Sequence, residues 1–292
     1  MTINSIIPEI WASRLLYNLN KNLVYSQPTV CNRDYTGDIA NMGDTVHING
    51  IGPVTVRPYV KNTPIAAPET LSDASTALLI DQGDYFNFAI DDADKAQTQP
   101  KVMDAAMAEA AHGISEVADD YIASIMVSSV SESNKIGSDA TPVVPYTDQV
   151  DGITAFDYLV DLSTKLNEAN VPKIGRWVIV PPWFVGNLVK SDNFSNISAS
   201  GSPEALRNGY VSRVAGFDVL ESNSVPNTDG TLYKIVAGYS GAVTYAEQVS
   251  SIELYRPDDR IADACKGLHI YGSKVIRSSG LALMTANKIP LE

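Results

Sequence analysis

Asp91-Asp92-Ala93-Asp94 sets three carboxylates within four positions, the donor type that a hard divalent cation takes. A calcium loop also needs a glycine at its sharp turn and a closing glutamate, and neither stands at that spacing here. The cluster reads instead as a solvated acidic turn ahead of a helix, where carboxylates are favoured. Asp258, Asp259 and Asp263 invite the same metal chemistry and receive the same answer. His47, His112 and His269 are the only histidines, and none has a second His or Cys at ligand spacing. Gly238-Tyr239-Ser240-Gly241 carries part of a nucleophile-elbow pattern without its final glycine. Gly50-Ile51-Gly52-Pro53 lacks the third glycine and the following helix of a dinucleotide loop. Nothing singles out a carboxylate pair for acid–base work. The expectation is a binding or structural protein, with no catalytic residue, no cofactor and no metal.

The elements behind these residues are mixed. Ile10, Leu15, Leu16, Leu19 and Leu23 recur at helical spacing over 9–23, and the polar run from Asn32 to Asp38 makes the start read as a mobile arm. Thr45–Tyr59, TVHINGIGPVTVRPY, alternates like a strand but is broken by Gly50, Gly52, Pro53 and Pro58. A second strand-like run extends from Ala77 to Ile90, where Phe86, Phe88 and Ile90 alternate with Asn87 and Ala89. With the Pro-rich stretch Lys61–Asp73 between them, the two runs predict a long hairpin, which needs a surface to lie on. Pro100 suits a first helical position, and Met103, Met107, Ala110, Ile114, Val117, Tyr121 and Ile125 then step by three or four. That predicts a helix over about 100–130, about 45 Å long at 1.5 Å per residue. A second helix over about 155–169 starts at Thr154 and Asp157 with capping-box spacing and stops before Pro172. Trp177–Val180 suits a buried strand. Short strands are expected at 214–220, 233–238, 242–246, 251–256 and 267–277. The order is α+β, without regular βαβ alternation.

The 292 residues are 45% hydrophobic and 19% charged, an ordinary globular balance with a net charge of −13. Residues 1–33 hold Arg14, Lys21 and Arg33 against Glu9 alone, whereas residues 34–160 hold five basic and twenty acidic side chains. Affinity for a phosphate backbone comes from Lys and Arg displacing counterions, so such a chain near nucleic acid contains it rather than grips it. No apolar run reaches about eighteen residues, so no membrane-spanning helix is expected. Ile6–Trp11 carries Glu9 and no basic leader, which argues against a signal peptide. Cys31 and Cys265, the only cysteines, are expected to be free thiols.

Several strings, in a shared order, resemble the major capsid (coat) proteins of tailed phages with the Hong Kong 97-type fold. Ile7-Pro8-Glu9-Ile10-Trp11 with Arg14-Leu15-Leu16 resembles the family's opening. Gly43–Ile48 looks like the start of its extended loop, and Asp91–Gln97 like its passage into the spine helix. Gly209-Tyr210, Gly216–Val219, Ser222-Asn223 and Val225-Pro226 form the most specific match. Ala246-Glu247-Gln248, Gly267–Gly272 and Lys274-Val275 look like its closing strands.

The likeness runs from about Ile7 to Ala286 and is closest to the short-tailed-phage coat branch. It implies an N-terminal arm at 1–44 and an extended loop at 45–90. A peripheral domain would take 91–140 and 241–292, and an axial domain 141–240. It implies self-assembly through pentamers and hexamers into an icosahedral shell around double-stranded DNA, with scaffolding protein and portal as partners. The location would be the virion, and the bacterial cytoplasm during assembly. Inter-subunit contacts are expected at Ile10, Trp11, Leu15 and Leu16 in the arm and at Ile65 and Leu71 in the hairpin tip. Arg57 and Lys61 would pair with acidic groups of a neighbouring subunit. Two other readings are an encapsulin-type compartment with the same fold, and a β-rich glycan-binding or hydrolytic domain built on Trp177, Trp183 and nearby tyrosines.

Overall fold

The computed structural model describes residues 23–36, 42–51, 55–59, 61–62, 64, 67, 73–91, 101–147, 152–191, 213–258 and 261–288. Its longest element is α1 (Lys101–Ser129), about 44 Å of helix, within a residue of its expected span. The buried stripe of α1 differs from the expected one. It runs through Met107, Ala111, Ile114, Ala118, Ile122 and Met126, and it includes Ser115 and Asp119. Val117, expected to face inward, is 49% exposed. Asp119 faces inward because its carboxylate accepts from the backbone amides of Val24 and Tyr25.

The expected hairpin is present but shorter. β1 (Thr45–Ile51) pairs antiparallel with β2 (Asp73–Leu79), from Thr45 opposite Leu79 to Ile51 opposite Asp73. The run from Ala77 to Ile90 is not one strand. It breaks at Ile80-Asp81, and β3 (Gln82–Asp91) crosses into a second sheet. There β3 pairs with β11 (Ala262–Val275), which pairs in turn with β10 (Val243–Tyr255), all antiparallel. The expected strands at 242–246 and 251–256 are this single β10, bent by a register shift between Val249 and Ser251. One face of this sheet packs on α1: Phe86 and Phe88 meet Met107, Ala111 and Cys265. Tyr85, Asn87 and Ala89 alternate outward, as the period of two requires.

The remaining strands form a mixed seven-stranded sheet. They are β4 (Lys135–Ile136), β5 (Arg176–Val180), β6 (Arg213–Val214), β7 (Phe217–Glu221), β8 (Asn227–Thr228), β9 (Leu232–Tyr239) and β12 (Leu281–Asn287). The order is β4-β12-β9-β5-β7-β6, with β8 on β9. β6 and β7 join through Ala215 and Gly216, both at positive φ (50° and 88°), as a two-residue hairpin demands. Every residue of β5 is buried, as the apolar run predicts. Arg176, at its start, donates to the carbonyls of Val171 (2.7 Å) and Pro172 (2.8 Å), just past the end of the preceding helix. That helix, α2 (Ala155–Glu168), begins with the expected capping box: Thr154 Oγ1 accepts from Asp157 N, and Asp157 Oδ2 accepts from Thr154 N at 3.2 Å. A further helix, α3 (Pro182–Lys190), has no counterpart in the sequence reading. Pro182 occupies the first helical turn, where its missing N–H costs nothing. Leu159, Leu162, Leu166, Phe184 and Leu188 join β5, β9 and β12 in one core. Each fully buried side chain of this kind contributes roughly 1.5–3 kcal/mol.

Candidate assembly site

The backbone from Leu23 to Arg33 has little regular structure, yet Leu23, Tyr25, Val30 and Cys31 are fully buried. This part of the expected mobile start is built into the core. Its amides need acceptors, and α1 supplies one. The Asp119 carboxylate accepts from Val24 N at 2.7 Å and Tyr25 N at 3.1 Å. Burial raises the pKa of Asp119 to about 7, against the lowering effect of the amides of Val24, Tyr25 and Ser26. At the far end Asn32 N donates to Val243 O (2.8 Å) and Tyr245 N donates to Asn32 O (3.0 Å), a parallel bridge onto the edge of β10.

Arg33 then forms an ion pair with Glu247 of β10 and lies 5.6 Å over the Tyr245 ring. Glu247 Oε2 also accepts from Tyr245 OH at 2.7 Å and meets His269 Nε2 at 3.1 Å. The His269 ring stacks on Tyr271 at 4.9 Å, and Tyr271 OH donates to Asp84 at 2.7 Å. Tyr121 of α1 meets Tyr271 edge-on and donates its hydroxyl to Asp81 at 3.0 Å. Burial lowers the His269 pKa to about 4, so the ring is neutral near pH 7 and its contact with Glu247 is a hydrogen bond. This network ties the N-terminal segment, β3, β10, β11 and α1 together. Sequence reasoning named His269 and the Glu247 string separately and missed their meeting, which depends on β10–β11 register.

The base of the β1–β2 ribbon is covered by its own chain. Val46, Ile48, Leu78 and Ile80 pack on Ala246 and Ile270, on the sheet face opposite α1. These residues are therefore not free to bind a neighbour. Beyond the paired strands, Thr55–Tyr59 is exposed, with Val56 94% and Tyr59 79% accessible. Arg57 lies within this segment, and Lys61 is exposed just after it. Of the remaining expected contact residues, Ile10, Trp11, Leu15, Leu16, Ile65 and Leu71 lie outside the described residues.

The candidate chemistry does not come together. Asp92, Asp94 and Asp259 lie outside the described residues, and Asp263 pairs with Arg256 at 3.0 Å. Among the described residues no group of three or more His, Cys, Asp or Glu is placed to hold a metal ion. Ser240 sits in a 3₁₀ turn between β9 and β10, not in the strand-to-helix turn of a nucleophile elbow. Trp177 is 1% exposed, and Trp183 packs on Phe184 and Tyr233, so the aromatics of the glycan reading belong to the core. Cys31 and Cys265 are free and buried, as expected. No helix among the described residues is long and apolar enough to cross a membrane.

A long helix backed by a three-stranded sheet, a ribbon standing off that sheet and a separate mixed sheet define a capsid-shell subunit of the Hong Kong 97 type. Solved structures agree. The chain is similar to one from Mycobacterium phage Che8, with 29% identity, 90% of each chain covered and a TM-score of 0.71. The capsid structure of the cyanophage P-SCSP1u gives 16% identity, coverage of 85% of this chain and 84% of that one, and a TM-score of 0.66. The holo-SrpI encapsulin complex from Synechococcus elongatus is more distant, at 11% identity, 87% of each chain and a TM-score of 0.52. The last two likenesses concern the fold alone. No curated protein matches. The family described as phage capsid protein matches over residues 72–283, and the chain belongs to that family. It is a structural major capsid protein.

Proposed function

We propose that this subunit assembles through pentamers and hexamers into an icosahedral shell that encloses double-stranded DNA, and that it stands closest to the coat proteins of short-tailed phages. Scaffolding protein and portal are its partners during assembly in the bacterial cytoplasm. The N-terminal arm, extended loop, peripheral domain and axial domain divide the chain as the resemblance implies.

The observation that carries this reading is the segment Thr55–Tyr59, which leaves its own sheet and presents Val56 and Tyr59 almost fully to solvent. Exposed apolar side chains beside Arg57 and Lys61 suit a contact made by a second copy. The arm residues Ile10, Trp11, Leu15 and Leu16 and the loop residues Ile65 and Leu71 add apolar contacts, and Arg57 and Lys61 pair with acidic groups across the interface. Many such contacts, each weak, sum to a stable shell. The acidic balance supports enclosing DNA rather than binding it tightly.

Negative-stain microscopy of the expressed protein tests the reading. Closed particles or capsomers are the expected result, and a monodisperse monomer under every assembly condition would overturn it. Protein cargo in place of nuclease-protected DNA, in particles recovered from infected cells, would favour the encapsulin-type compartment.

A further inference from the structure

The segment Leu23–Arg33 is held at both ends by buried carboxylates from different elements. At one end Asp119, 3% exposed on α1, binds the amides of Val24 and Tyr25, ninety-five and ninety-four residues away in sequence. At the other, Glu247 on β10 binds Arg33, beside the backbone bridge of Asn32 to Val243 and Tyr245. Between them Gln27 Nε2 closes a turn on Leu23 O at 2.7 Å, and Cys31 Sγ donates to Tyr25 O at 3.2 Å.

Asp119 is not needed by the helix that carries it. It sits mid-helix, where backbone groups are already paired, and an alanine would suit a buried stripe already rich in alanine. Its two bonded amides belong to a segment with no strand or helix ladder of its own. Buried amides left unpaired would be costly, so Asp119 specifies where this backbone lies. Residues 1–22 continue directly from the point it holds.

We infer that Asp119 and Glu247 are positioning residues that clamp Leu23–Arg33 to α1 and β10, and that this clamp fixes the root from which the N-terminal arm is presented to a neighbouring copy. The inference rests on the reading that the arm bridges subunits in the shell.

The test compares the full chain with Asp119→Ala, Asp119→Asn and a chain lacking residues 1–20, reading hydrogen exchange and particle yield. Asp119→Ala is expected to speed exchange at residues 24–33 by at least about tenfold, because local opening there becomes easier. Exchange in β9 and β12 stays as in the full chain. Particle yield falls several-fold, toward that of the truncated chain, while Asp119→Asn, which keeps one of the two acceptor oxygens and turns its NH2 toward the other amide, recovers only part of both. If the Asp119→Ala chain does not fold, Arg33→Gln replaces it under the same criteria at residues 30–33. Exchange within twofold of the full chain, or unchanged particle yield despite lost protection, overturns the clamp. A truncated chain that assembles normally refutes instead the bridging role of the arm.

Discussion

Glu247 and His269 face each other across β10 and β11, with Oε2 and Nε2 3.1 Å apart and only 6% and 1% of their side chains exposed. A histidine sealed in this way is held neutral, and the proton it refuses has a cost that depends on pH.

That cost has a sign. The His269 pKa falls from 6.5 to about 4 on folding, so between those values the unfolded chain binds the proton and stability drops as pH is lowered. Asp119 acts oppositely. Its pKa rises from 3.8 to about 7, so stability drops as pH is raised through that window. Relative to the full chain, His269→Asn therefore makes the slope of stability against pH more negative between pH 4.5 and 6.5. Asp119→Asn makes it more positive. Urea midpoints measured at several pH values check both signs, and slopes unchanged from the full chain would refute the assignment.

Gly272 lies where the ribbon meets its sheet. A Cβ there would stand 2.4 Å from Leu79 O and 3.0 Å from Ile80 Cδ1. Gly272→Ala is expected to destabilise the subunit by about 1–3 kcal/mol through overpacking. It should also loosen the ribbon base, seen as faster proteolysis within residues 45–79. A substitution that alters neither would mean that the ribbon is not seated as described.

Arg57 and Lys61 are exposed, so charge reversal at both should leave subunit stability within about 0.5 kcal/mol. Assembly of the Arg57→Glu/Lys61→Glu chain is expected to slow at low salt, with the difference narrowing as salt is added. Light scattering during assembly reads this directly. Identical assembly curves at every ionic strength would remove these residues from the interface.

Thr154 caps α2 through its bond with Asp157 N. Thr154→Ala should cost about 1 kcal/mol, read from the urea midpoint of the dissociated subunit. Thr154→Ser keeps the hydroxyl and should lose little. Equal loss in both variants would assign the effect to the buried methyl group rather than the cap.

Much of the frame was legible from the sequence by itself. The span of α1, the cap and end of α2, the apolar run of β5 and the alternation around Phe86 and Phe88 are written within a few residues of one another. Local sterics and amphipathic period determine them. The shared order of short strings also carried the fold resemblance that the comparisons bear out. Other features waited for the tertiary structure. The break at Ile80-Asp81 arises because β2 answers to β1 while β3 answers to β11, far along the chain. β12, rich in Leu, Ala and Met, is a strand because it is buried between β9 and β4, not because of its local preference. Asp119 faces inward because backbone ninety-odd residues earlier needs its oxygens. Glu247 meets His269 only through the register of two strands. Local chemistry chose the elements; long-range pairing of buried polar groups chose how they meet.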